Sequence, residues 1–264
     1  MTEYALEVSE AEIRRYRMMA ERARTSEAGI WRSAGIVPGA TVADIGCGPA
    51  AVAVQVAAVV GPEGRVVGVE PDGSARAAAR QLIADSGAGN IELREGTGTD
   101  TGLEPGSVDV ALMRHVLAHN GGHEQAIVDH LASLVRPGGA VYLVDVDGTA
   151  LRVLDADPEL ADLHERYVEL HRRKGNDLQV GLKLRQLLER AGLDVELHEG
   201  RYLIAAMPPG VRPPSWAARE SLLGAGLAVE DDVRRWEAAF DRMDAAPARP
   251  TTFAPFFVGV GRRR

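Results

Sequence analysis

The stretch VADIGCGPA, residues 42–50, decides how the rest of the chain is read. A short apolar run at 41–45 delivers Asp44, and Gly46-x-Gly48 then turns tightly into a small-residue helix, PAAVAVQVAAVVG, that stops at Gly61-Pro62. Glycines in such a turn let the backbone approach a bound group closely. Alone, the turn supports no more than a strand-to-helix connection. Its neighbours extend the reading. GRVVGVE is a second apolar strand, and GSARAAARQLIADSG a helix with Ser74 as candidate N-cap. IELREG and VDVALM are third and fourth strands, and AVYLVDVD is a fifth. Between the last two, GGHEQAIVDHLASLVRPGG reads as a helix ended by Pro137 and the glycines.

Strands and helices that alternate at this spacing argue for a parallel sheet covered on both faces, with ligands at the carboxyl ends of its strands. The expected fold is α/β, Rossmann-like and doubly wound, with a mostly parallel seven-stranded sheet. Residues 9–34 read as one N-terminal helix bearing Ile13, Tyr16, Met19 and Ala20, which makes residues 1–35 a helical cap. The Rossmann-like domain is expected over 36–207, with further helices at 157–173 and 181–191 and a sixth strand in LDVELHEGRYLIAAM. Residues 208–252, rich in proline at both ends, are too long for an ordinary loop and read as a helical lid or arm before the last strand. Within that insert EDDVRRWEAAFDRM is an amphipathic helix, and residues 253–264 hold the final strand, APFFVGVG, and the tail.

Composition narrows the function classes. The 264 residues are 45% hydrophobic and 26% charged, a globular balance, with net charge −8 and a pI of about 5.4. No basic stripe suits nucleic acid. No apolar run approaches the ~20 residues of a membrane span, and the first ten residues do not resemble a secretory signal. The single cysteine, Cys47, excludes an internal disulfide and fits a reducing, cytoplasmic setting.

The second strand ends in Glu70, where a carboxylate can accept both hydroxyls of a ribose. The third ends at GTG, which puts small groups where an adenine edge would lie. Gly46, Gly48 and Ala51 also satisfy a loose dinucleotide fingerprint, but a pyrophosphate on this loop would be repelled by Asp44. S-adenosylmethionine, with an ammonium and a sulfonium, suits an acidic environment better.

Here the sequence resembles the class I S-adenosylmethionine-dependent methyltransferases, especially small-molecule enzymes of quinone and natural-product pathways. DIGCGPA is similar to their first motif, with Ala50 where a third glycine is usual, and VVGVEPDG to their second. LREGTGTDTGLEPGSVDVALMRHVLAH resembles the third and fourth motifs, and LVRPGGAVYLVD the segment into the fifth strand. The resemblance covers about residues 36–147. It implies a cofactor set of Asp44, Gly46, Cys47, Gly48, Glu70, Pro71, Thr97, Gly98 and Arg114, the last through its backbone carbonyl. Thr97 stands where the family usually has an acid that bonds the adenine amino group.

For the chemistry, RHVLAHNGGH follows the fourth strand, whose end borders the transferable methyl in the resembled fold. His115 and His119, one helical turn apart, are candidate bases. Glu169 is a third candidate, beside Glu165, Tyr167 and His171 on the helix after the fifth strand. No metal is expected. The implied activity is methyl transfer to an O, N or C nucleophile of a small apolar metabolite. A C-methyltransferase of an isoprenoid diphosphate, with Glu169, Arg172 and Arg173 in play, is one alternative. A non-catalytic S-adenosylmethionine-binding regulator or scaffold is a second, and a nicotinamide oxidoreductase a third. The expected partner is a small-molecule acceptor; the insert could also serve as the arm of a homodimer.

Overall fold

The computed structural model describes residues 10–264; residues 1–9, the start of the expected N-terminal cap, lie outside the described residues. Two helices come first, α1 (Glu10–Ser26) and α2 (Ala28–Ala34), where the sequence reads as one. Glu27 alone interrupts them, and α2 ends on Gly35 at φ +105°. The β/α alternation follows: β1 (Thr41–Ile45), α3 (Ala51–Val60), β2 (Arg65–Val69), α4 (Gly73–Ser86), β3 (Ile91–Arg94), β4 (Val108–Arg114), α5 (Glu124–Leu134) and β5 (Val135–Val146). Beyond it lie β6 (Arg152–Leu154), α6 (Pro158–Arg173), α7 (Leu184–Arg190) and β7 (Asp194–Ala206). The insert is α8 (Pro214–Ala217), α9 (Arg219–Gly224) and α10 (Glu230–Ala245), and β8 (Thr251–Arg262) closes the chain.

Strands β1 to β5 pair in parallel in the order 3-2-1-4-5, and β8 runs antiparallel between β5 and β7. Among the described residues the sheet has eight strands rather than seven. The additional one, three-residue β6, pairs with Thr251–Phe253 on the same edge of β8 that β5 occupies further along. A segment that short carries no periodicity to read. Side chains alternate across the sheet: Val110, Leu112 and Tyr142 pack with α2, α3 and α4, whereas Ala111, Met113 and Leu143 pack with α5, α6 and α7. Burial on both faces is why these strands read as unbroken apolar runs.

Two element boundaries differ from the sequence reading. Helix α4 is capped by Asp72, whose carboxylate accepts from Ala75 N at 2.7 Å, not by Ser74, which lies one residue inside the helix. Helix α5 ends at Leu134, before Pro137, because Val135 already pairs with Val108. No helix among the described residues is long and apolar enough to cross a membrane.

The turn after β1 explains its glycines. The Gly46 and Cys47 amides donate to Val69 O at 2.8 and 3.1 Å, which ties the turn to β2. Gly46 has φ +71°, and a Cβ there would meet Val116 Cγ2 at 2.6 Å. Valine is stiff about χ1 and cannot swing aside cheaply. The change Gly46→Ala therefore combines left-handed strain with overpacking and should cost about 2–5 kcal/mol in urea denaturation. A loss below about 0.5 kcal/mol would contradict this turn geometry.

Candidate functional site

The carboxyl ends of β1 and β2 bring two acids, Asp44 and Glu70, within electrostatic reach of each other and of Arg114 at the end of β4. Asp44, next to last in β1, is 2% exposed, and its Oδ2 is buried without a hydrogen-bond partner among the described residues. Burial pushes its pKa up to about 7, with Arg114 pulling it down and Glu70 pushing it further up. Glu70 is also buried, and burial raises its pKa. Its Oε2 accepts from Gly48 N at 2.9 Å and its Oε1 from Asp72 N at 3.0 Å, which joins the glycine turn to the head of α4. A carboxylate oxygen has two lone pairs, so each can accept a further hydroxyl.

The other expected cofactor residues take distinct places. Cys47 is buried under the turn, its thiol held well above the ordinary range by burial and by Asp44 and Glu70. A Cβ on Gly68 would lie 3.0 Å from Cys47 Sγ, a tight contact that favours a small residue there. Pro71 is exposed, and its carbonyl accepts from Arg76. The Thr97 hydroxyl accepts from Asp100 N at 3.1 Å and so shapes its own turn, while Gly98 lies where a Cβ would meet Ile127 at 3.0 Å. The side chain of Arg114 is committed elsewhere. It makes bonds of 2.7 and 2.9 Å to Glu27, which also accepts from the Tyr142 hydroxyl. Glu27 and Tyr142 are 1% and 0% exposed, so this clamp fastens the start of α2 to the sheet inside the protein. The sequence reading did not single out Glu27 or Tyr142; they lie 115 residues apart.

After β4 the chain turns sharply at His115, a non-glycine residue with φ +56°. A one-turn 3-10 helix, Leu117–His119, follows. Asp145, 1% exposed near the end of β5, holds that turn by accepting from Ala118 N at 3.2 Å. Burial raises its pKa to about 7 against the pull of the backbone amides. Asp145 is a site residue the sequence reading missed; an acid inside the apolar run YLVDVD was its only signal.

The two histidine candidates come together with the helix after β5. The ring of His119 is 4.9 Å from that of His171, which meets Tyr167 edge-on at 4.4 Å. His115 Nδ1, His164 Nε2 and His171 Nε2 are buried without hydrogen-bond partners among the described residues. Burial dominates their electrostatics. It lowers His115 well below the usual imidazole range, helped by Arg114, Arg15 and His119, and takes His119 to about 4 and His171 to about 3. These imidazoles are neutral at pH 7. Arg15 on α1, in a buried bidentate pair with Glu12, borders the group. No cluster of metal-ligating residues occurs among the described residues.

Glu169 stands apart from this group. Tyr167 and His171 are one helical turn apart on the buried face of α6, and Glu169 between them projects outward to accept from Arg172 at 2.6 Å and Arg173 at 2.8 Å. Those two arginines hold its carboxyl at about 2. The insert packs along α6 as well. Trp236 is fully buried and donates to Asp162 at 3.0 Å, and Phe240 meets Trp216 edge-on at 5.3 Å.

Against known proteins, residues 42–139 match the family model described as "Methyltransferase domain". The chain is 33% identical to an arsenite methyltransferase of Halobacterium salinarum over 117 residues, 44% of this chain and 30% of that one. It is 37% identical to a nocamycin O-methyltransferase of Saccharothrix syringae over 109 residues, 40% of this chain and 38% of that one. The chain thus spans well under half the length of the curated relatives it matches. Among solved structures it is similar to a putative methyltransferase of Bacillus halodurans, with a TM-score of 0.58 at 16% identity over 90% of this chain and 99% of that one. A likeness at that identity speaks for the fold.

The buried clamp yields a direct test of the site's framework. The change Glu27→Ala leaves the Arg114 guanidinium buried without its carboxylate, and should cost about 3–5 kcal/mol in urea denaturation. A change below about 1 kcal/mol would mean that Arg114 reaches water and the clamp is not formed.

Proposed function

We propose that this chain, whose residues 42–139 match the family model described as a methyltransferase domain, is a class I, S-adenosylmethionine-dependent methyltransferase that transfers a methyl group from that cofactor to a nucleophile of a small molecule received beside His115, His119, Tyr167 and His171. The observation that carries the reading is Asp44 Oδ2, a buried carboxylate oxygen without a partner. A desolvated acid of this kind favours a cation beside it and disfavours a phosphate. The residues present therefore fit S-adenosylmethionine, which supplies, when bound, a methyl group activated by a sulfonium.

In this reading Asp44 accepts from the cofactor's ammonium and Glu70 from the ribose hydroxyls. The Gly46–Gly48 turn brings the backbone close to the amino-acid portion. Thr97 and Gly98 border the adenine. The chain's own contribution to catalysis is to hold the acceptor in line and to exclude water. His115 or His119, neutral near pH 7, can take a proton if the nucleophile must lose one. Glu169 has no part in it, because its carboxylate is engaged by Arg172 and Arg173. Arg172 and Arg173, the cations a diphosphate acceptor would use, are exposed and meet Glu169 rather than the buried face of α6 that carries Tyr167 and His171. Nor does arsenite follow from the relative named for it. A soft metalloid prefers thiolates, and the one cysteine, Cys47, is buried and protonated. The partner in this reading is a small molecule, and neither nucleic acid nor a second copy of the chain is required.

Calorimetry with S-adenosylhomocysteine tests the proposal. Binding should be micromolar, roughly −8 kcal/mol. At about pH 6 the free protein holds a proton on Asp44, and the ligand's ammonium should drive it off. Titration in buffers of different ionisation enthalpy should therefore show close to one proton released, and Asp44→Asn should abolish the release. If NADH binds and S-adenosylhomocysteine does not, the proposal is wrong.

A further inference from the structure

The loop after β4 and the loop after α6 touch at Gly121 and Gly175. A Cβ on Gly121 would fall 1.9 Å from Gly175 O, so only glycine allows this approach. Across the contact the Gly121 amide donates to Asn176 Oδ1 at 3.1 Å. That bond decides which arm of the Asn176 amide is which, because a backbone N–H can only donate. The other arm is then the NH2 group, 2.8 Å from His171 Nδ1. An NH2 group can only donate, so Nδ1 must accept, and the proton of the neutral ring lies on Nε2. His171 is 0% exposed, and its Nε2 has no hydrogen-bond partner among the described residues. Buried donors without an acceptor are rare in folded proteins and call for an explanation. This one sits in an aromatic setting, with His119 on one side and Tyr167 on the other, next to the turn that carries His115.

We infer that His171 is a specificity-determining residue that donates a hydrogen bond from Nε2 to an oxygen of the methyl acceptor, and that the acceptor is a planar phenol or enol. Asn176 is the positioning residue that fixes the donor tautomer, and Gly121 is the anchor that fixes Asn176. The inference rests on the methyltransferase reading for the word acceptor; the tautomer and the donor are properties of the chain itself. The aromatic walls suit a flat ring, and a phenolate or enolate oxygen is a strong hydrogen-bond acceptor. His171 in this role is not a base. Its ring faces the acceptor with a proton already in place, and the deprotonating group, where one is needed, is a different residue.

Two measurements test it. Long-range proton–nitrogen correlation spectra of the nitrogen-15-labelled full chain report both ring nitrogens of His171. Nδ1 should show the shift of an unprotonated nitrogen and Nε2 that of a protonated one, and Asn176→Asp should place a proton on Nδ1. The second probe is 4-nitrophenolate, a planar oxyanion whose absorption reports hydrogen bonding, titrated with and without saturating S-adenosylhomocysteine. The wild type should bind it. His171→Phe, which keeps an aromatic ring but loses the donor, should bind about tenfold more weakly or worse, and His171→Gln, which restores an N–H, should recover to within about threefold. A protonated Nδ1 in the wild type, failure of the wild type to bind 4-nitrophenolate, or equal binding by His171→Phe would each overturn the inference. Loss of S-adenosylhomocysteine binding alone would instead strike the cofactor reading, because the tautomer is measured without it.

Discussion

A carboxylate taken out of water must be compensated, and the upper end of this sheet is arranged around that constraint at Asp44. The free-energy cost of a buried charge is large unless it is paired or neutralised. Here burial raises the pKa, Arg114 lowers it and Glu70 raises it further, which leaves the group titrating at about 7. Arg114 in turn is held by Glu27, and Glu27 by Tyr142. The start of α2, the last residue of β4 and the core of β5 are thus one electrostatic unit beside the glycine turn after β1. A ligand that brings a cation to Asp44 completes the compensation that the protein leaves unfinished.

The same economy of buried polar groups shapes the other half of the site. Asp145 is spent on holding the 3-10 turn after β4, which lets His115 take its strained backbone and sets His119 against His171. Helix α6 is tied to the insert on its other side, where Trp236 donates to Asp162. Trp236 and Phe240 of the insert are buried, and Trp216 packs edge-on against Phe240, while α1 with its buried Glu12–Arg15 pair borders the histidines.

Much of this was legible in the sequence because the signals were local. The apolar runs of β1, β2, β4 and β5, the glycine turn and Glu70 all follow from periodicity and from what a tight turn requires. The boundaries that moved did so for competing local reasons: Asp72 was available one residue ahead of the helix that Ser74 was expected to cap, and β5 captured Val135 before Pro137 could end α5. Glu169 illustrates a different limit. On a helix a residue two places from a buried one points well away from it, and the candidate set of Tyr167, Glu169 and His171 mixed both faces of α6. The contacts that fix the chemistry of the histidines were out of reach altogether. Gly121 meets Asn176 across 55 residues, and no pattern within either loop announces the other. Strand β6 was invisible for want of length.

The central claim is that the Asp44 carboxylate and the Glu70 carboxylate divide one cofactor between them, cation to the first and ribose to the second. A crystal structure with S-adenosylhomocysteine tests it most directly. The account requires the ligand's amino group within hydrogen-bond distance of Asp44 Oδ2 and both ribose hydroxyls on Glu70, with the sulfur facing His115 and His119. A ligand whose ribose lies away from Glu70, or whose amino group leaves Asp44 Oδ2 without a partner, would contradict it.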